Sequence, residues 1–139
     1  MNDEHAGDRR TALEIACASY AAFARHDVAG VVAELDPEIE WVQAQGLPHG
    51  GTYRGIDEVR RNIFDPLGRD WWDGFTAAPD EFIDAGDQVV VLGRYRAVAK
   101  QSRRQLDVPY VHVWTVKDAK VTRFRQFLDT AGWNAALDA

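Results

Sequence analysis

The chain is poor in residues that announce special chemistry. It holds one cysteine in 139 residues, which excludes an internal disulfide and leaves no thiolate metal site with its ligands. Cys17, flanked by Ala16 and Ala18 in a helical pattern, reads as a small core residue. No apolar run approaches the roughly 20 residues that cross a bilayer. The opening "MNDEHAGDRR" is polar, with no hydrophobic stretch of the signal-peptide kind behind it. Positive charge is also scarce: 16 Lys and Arg against 22 Asp and Glu leave a net charge of −6. That argues against nucleic acid as a partner, because phosphate binding needs clustered cations. The pairs Arg9-Arg10, Arg60-Arg61 and Arg103-Arg104 read as solvated surface. Repeats, low-complexity tracts and Pro/Gly-rich linkers are missing. These absences predict a soluble cytoplasmic protein with no membrane partner. A disordered tail is expected over 1–8 and a single domain over 9–139.

What is present is an ordinary globular composition, 46% hydrophobic and 27% charged. Leu13, Ala16, Cys17, Tyr20, Phe23 and Ala24 recur at three- and four-residue steps, one face of a helix between Asp8 and Arg25. "HDVAGVVAELDP" reads as a second, short helix with Asp27 as N-cap and Pro37 just past its end. "EIEWVQ" alternates Ile39, Trp41 and Gln43 against charged or outward residues, the mark of a half-buried strand. "AQGLPHGGTYRG" reads as loop, with His49 solvated. A third helix follows over "IDEVRRNIFDPL", closed by Pro66. The period then falls from about 3.6 to 2. Strand-like runs continue from Trp71 to Leu128, with "AGD" and "KDAK" as hairpin turns, and "DTAGWNAALDA" is a last short helix. Helices first and an antiparallel meander afterwards is an α+β arrangement. A curved sheet wrapped over the helices would leave an internal pocket, a common place for small-molecule sites.

"YAAFARHDVAGVVAELDPEIEW", "GTYRGIDEVRRNIF" and "HVWTVKDAKVTRFRQFLDT" resemble the SnoaL-like group of the nuclear-transport-factor-2-like superfamily, which includes ketosteroid isomerases and polyketide cyclases. The resemblance covers roughly residues 10 to 137. It implies a cone-shaped, cystatin-like α+β fold, no cofactor, no metal, and a homodimer built on the outer sheet face. The ketosteroid isomerase base falls on Val42 or Gln43, its helix-one tyrosine on Ser19 with Tyr20 one residue away, and its donor acid near Val111, so that constellation does not carry over. The polyketide cyclase histidine matches His112, but its catalytic aspartate matches Gln126, an amide that cannot serve as a base. The Arg-x-Asp pair of epoxide-hydrolysing relatives meets "RYR" at 94–96.

Strand geometry sets the remaining expectations. If "KDA" is a three-residue turn, Val116 pairs with Lys120, His112 lies opposite Phe124, and Gln126 and Leu128 share its face. With a two-residue turn His112 would face Arg125. The apolar pattern favours the first register. His112 is then either a pocket acid–base group, suited by an ordinary pKa of about 6.5, or a satisfied core histidine. Asp129 is either the N-cap of the last helix or, if the strand bulges before it, a catalytic carboxylate. The candidate catalytic set is therefore His112, Asp129 and Gln126. The candidate ligand-binding set is Tyr20, Trp41, Gln43, Tyr53, Trp71, Trp72 and Phe124, all but Gln43 aromatic residues suited to a flat apolar molecule. Glu40 and Asp107 read as outward charges. The functional expectation is an acid–base enzyme of isomerase, cyclase or dehydratase type acting on a hydrophobic carbonyl compound. The alternative is a protein that only binds such a molecule.

Overall fold

The structure, a computed structural model, describes residues 9–138; the tail expected over 1–8 lies outside the described residues. Helix α1, Ala12–Ala24, opens on a capping box in which Thr11 Oγ1 accepts from Glu14 N and Glu14 accepts from Thr11 N. Its buried face carries Ile15, Ala16, Ser19 and Tyr20. Cys17 departs from expectation: it is exposed, because the buried stripe runs through Ala16 and Tyr20 and turns the residue after Ala16 outward. Helix α2, Val28–Val32, starts on Asp27, whose carboxylate accepts from Gly30 N as the sequence predicts.

Six strands follow: β1, Leu35–Gln43; β2, Gly51–Arg54; β3, Trp72–Ala85; β4, Gln88–Ala99; β5, Gln105–Lys117; and β6, Lys120–Leu128. They form one curved, unclosed sheet in the order β2-β1-β6-β5-β4-β3, antiparallel except where β1 runs parallel to β6. Strand β2 forms inside a segment that reads as loop. Pro37 lies in β1, where the register against β6 shifts between Leu35 and Glu40, a place where a missing N–H costs no ladder bond. After β2 comes α3, Ile56–Val59, continued by wide turns over Arg60–Phe64 and Leu67–Trp71. Pro66 therefore does not close this helix; the wider turns on either side absorb its missing donor. Helix α4, Thr130–Leu137, seals one end with the fully buried Trp133.

The last hairpin decides which side chains face inward. Its turn has two residues, Asp118 and Ala119, both at positive φ (52° and 60°), with Lys117 opposite Lys120. That is the twist-matched hairpin turn, and the three-residue register is wrong. Alone it would set His112 against Arg125. A bulge at Thr122 adds one residue between the Thr115–Arg123 and Val116–Val121 pairs and restores the parity. His112 pairs with Gln126, and Trp114 with Phe124. Glycine matters at Gly93 for a related reason: a Cβ there would come within 2.5 Å of the Tyr110 hydroxyl across the ladder.

The two sheet faces differ sharply in chemistry. The inner face and helices form an aromatic core in which Trp41 stacks on Phe124 at 3.9 Å and Trp133 meets Trp72 edge-on at 5.1 Å. Charges stand elsewhere, with Glu40 between Arg54 and Arg123, and Asp107 between Arg94 and Arg96. Among the described residues no helix is long and apolar enough to cross a membrane.

Candidate functional site

Three neighbouring strands and α1 bring a polar chain into the apolar interior. Inward alternation along β4 places Tyr95, along β5 His112 and Trp114, and along β6 Phe124 and Gln126. Helix α1 delivers Tyr20 from the other side. Tyr20 Oη lies 2.5 Å from His112 Nδ1, and Tyr95 Oη lies 2.5 Å from His112 Nε2. Trp114 Nε1 donates to Tyr20 Oη at 2.9 Å, and Gln126 Nε2 donates to Tyr95 Oη at 2.9 Å. Gln126 Oε1 accepts from Ala44 N at 3.1 Å. That contact fixes which way the amide points and pins the array to the end of β1.

Electrostatics keep this chain neutral. Burial holds the His112 imidazole well below its ordinary pKa, because a lone cation in an apolar interior has lost its hydration. Burial likewise raises both the Tyr20 and Tyr95 hydroxyls, so each keeps its proton. Tyr110 stacks on the imidazole at 3.9 Å. Its hydroxyl lies near enough to the Tyr20 hydroxyl to raise the Tyr20 pKa further.

Hydrogen counting then gives a result independent of tautomer. Tyr20, Tyr95 and a neutral His112 hold three hydrogens among them, and the two Tyr–His bonds use two. One hydroxyl hydrogen is left over. If His112 donates through Nδ1 the spare hydrogen is on Tyr20; if it donates through Nε2, on Tyr95.

The array borders a cavity of about 70 Å3, lined otherwise by aromatic and aliphatic side chains. That volume exceeds the space of one water but is about half of an apolar cavity of about 150 Å3 known to take benzene. A groove of about 660 Å3 between α1 and β3 shares Tyr20, Phe23, Phe75 and Ala77 with it. Phe23 and Phe75, edge-to-face at 6.1 Å, stand where the two spaces meet. Tyr20, which lines both spaces, presents one edge of the array to the groove.

Six of the sequence candidates line this cavity: Tyr20, Trp41, Gln43, His112, Phe124 and Gln126. Ser19, the position aligned with an isomerase tyrosine, spends its hydroxyl on Ile15 O. Four candidates lie elsewhere. Asp129 caps α4 by accepting from Gly132 N, on a strand end that does not bulge toward the cavity. Tyr53 is on the outer strand β2 and donates to His49 O. Trp71, the last residue of the turns after α3, stacks on His49 at 3.8 Å, and Trp72 is enclosed in the core. His49 is half-buried rather than solvated: the Trp71 ring covers it, its Nε2 has no partner, and burial lowers its pKa to about 4. The sequence reading missed Tyr95, Trp114, Phe75 and Trp133. The signal for Tyr95 was the alternation in "VLGRYRA", which turns a tyrosine inward between two outward arginines. Among the described residues no cluster of His, Cys, Asp and Glu is arranged to hold a metal ion.

Comparison with known proteins follows the fold. Residues 17–124 match the SnoaL-like domain. An NTF2-like protein from Burkholderia thailandensis shares 40% identity over 94% of this chain and 99% of its own, with a TM-score of 0.89. An NTF2-like protein of unknown function from Burkholderia pseudomallei shares 34% over 92% and 98%, with a TM-score of 0.84. TerC, co-crystallised with polyporic acid, shares 30% over 92% and 98%, with a TM-score of 0.82. Among curated proteins none matches. The matched span and the identities agree with the α+β architecture: the chain belongs to the SnoaL-like domain family within the NTF2-like fold.

Proposed function

We propose that this protein is an acid–base enzyme of the isomerase, cyclase or dehydratase kind, acting on a hydrophobic carbonyl-bearing molecule through its own side chains. The observation that carries the reading is a buried, neutral imidazole with a tyrosine hydroxyl on each nitrogen, inside an otherwise apolar cavity. A ligand carbonyl oxygen accepts the spare hydroxyl hydrogen. When the tyrosine bonded to the accepting imidazole nitrogen swings its own hydrogen onto that oxygen as well, a lone pair on His112 is freed. It takes the proton from the adjacent carbon, the C–H electrons move onto oxygen as an enolate, and the hydroxyl donors stabilise that charge. Return of the proton to another carbon completes an isomerisation. TerC, on the same fold, was co-crystallised with polyporic acid, which supports a cavity that takes a small organic molecule.

Exchange of the α-hydrogens of 1-indanone in D2O, followed by NMR, tests this without the natural substrate. The protein should accelerate exchange over buffer, and His112→Ala should lose about 100- to 10,000-fold of the acceleration. Exchange at the buffer rate, or full activity in His112→Ala, rejects it. A second reading, binding without turnover, is favoured by the lack of any carboxylate on the cavity wall among the described residues. It predicts saturable indanone binding with no exchange.

A further inference from the structure

Gln43 carries hydrogens that the cavity leaves unspent. It is 2% exposed and lines the cavity. Its Oε1 accepts from Trp41 Nε1 at 2.9 Å. An indole N–H can only donate, so that contact fixes the amide orientation and makes the other atom the NH2 group. That Nε2 makes no hydrogen bond among the described residues. Gln126, beside it, is the opposite case, with both amide atoms engaged.

Position gives the unspent donor its meaning. Trp41 pairs with Phe124 and Val42 with Arg125 in the parallel β1–β6 ladder, which sets Gln43 beside Gln126 on the inner face. Neighbouring strands are about 4.8 Å apart, and Gln126 holds Tyr95, one of the two hydroxyls that share the spare hydrogen. With His112 protonated at Nε2 the spare hydrogen is on Tyr95, and the two donors stand on adjacent parts of one wall; with Nδ1 protonated it is on Tyr20, on the α1 side of the same cavity. An amide NH2 group that lines a cavity and makes no hydrogen bond is open to a ligand oxygen.

We propose that Gln43 is the cavity's second oxygen-binding donor, so that the ligand is a flat apolar molecule carrying two carbonyl or enolate oxygens, a dicarbonyl and not a simple ketone. The inference rests on the carbonyl-binding reading above and narrows its substrate class. It also eases the chemistry: a C–H flanked by two carbonyls is far more acidic than one beside a single carbonyl. An imidazole weakened by burial is then a sufficient base.

Titration calorimetry with indane, 1-indanone and 1,3-indandione provides the test. The dione should bind about tenfold more tightly than the ketone, and indane more weakly than either. In Gln43→Leu, with folding checked by its thermal transition, the ketone's affinity should hold while the dione's advantage disappears. Equal affinity of ketone and dione for the unaltered protein overturns the inference on its own and leaves the carbonyl reading standing. Binding of none of the three overturns both. Trp133 Nε1 is also buried and unpartnered. If the dione's advantage survives Gln43→Leu and vanishes in Trp133→Phe, the second donor is Trp133 and the assignment of Gln43 is wrong.

Discussion

Among the described residues two imidazoles are shielded from water, and their surroundings differ in kind. His112 sits mid-sheet with both ring nitrogens hydrogen-bonded to tyrosines, which are themselves held by Trp114 and Gln126. His49 sits in the loop between β1 and β2, stacked on Trp71, with a buried Nε2 that bonds to nothing. Burial lowers the pKa of both. A depressed pKa therefore does not separate a site from a packing position here; the partners do. Around His112 each polar atom constrains the next, whereas His49 contributes a flat surface to an aromatic corner.

The largest effect expected from this contrast is on stability. His112→Ala removes a buried ring and leaves Tyr20 and Tyr95 each one hydrogen bond short, a loss of about 3–4 kcal/mol. For a domain of this size that lowers Tm by roughly 10 °C. His49→Ala removes one stacked, half-buried ring and should cost about 1 kcal/mol. Calorimetric melts of both variants check the order. Equal losses would mean that the Tyr–His–Tyr chain is no more coupled than an ordinary packing contact.

A smaller change probes the same contrast one bond further out. Gln126→Leu keeps the volume but strips the partner from Ala44 N and the donor from Tyr95, for about 2 kcal/mol. With Tyr95 no longer held as an acceptor on that side, its ring is freer to turn. The 15N shifts of His112 should then move along with the stability. A stability loss with unmoved imidazole shifts would show that Gln126 braces the strand junction without positioning the array.

How far these features could be read from the sequence depends on the range of the interaction that fixes them. Period and caps are local, so α1, the Asp27 and Asp129 caps and the run of late strands follow directly from residue order. The inward set Trp41, Gln43, Phe124 and Gln126 also follows, since alternation in a strand is local. The shared facing of His112 and Gln126 follows from the apolar alternation, although the register that pattern favours is wrong. Two departures, the shorter turn and the Thr122 bulge, cancel, and nothing in "VKDAKVTRF" marks a bulge that only the sheet's twist demands. Tyr95 was missed because its importance lies in a partner 17 residues away. His49 read as loop polarity because the Trp71 ring that covers it arrives from another element. Asp129 resolves to its local role, a helix cap.

The smallest effect separates the imidazoles by pH. A group whose folded pKa is depressed below its unfolded value binds fewer protons folded than unfolded across the interval between them. For His49 that interval runs from about 6.5, the unfolded value, down to about 4. Its contribution is thus fully present above the upper limit and is lost as pH falls through the interval. Because the ring is only half-buried, screening by solvent reduces the effect to about 1 kcal/mol. Asp70, Asp73 and Asp107, held below the ordinary carboxylate range by hydrogen bonds from neighbouring Arg and Lys side chains, lose their stabilisation in the same direction. They begin to do so only at about pH 5, so they enter the lower part of this window. His112 shares the sign but, more deeply buried, resists protonation further into acid. His49→Gln should therefore flatten the Tm profile by roughly 3 °C between pH 7 and 4, leaving the residual slope to His112 and, below about pH 5, to the carboxylates. Superimposed profiles for the variant and the unaltered protein would mean that the Trp71 stack opens to admit the proton at no cost, making the loop corner a mobile surface instead of a packed one.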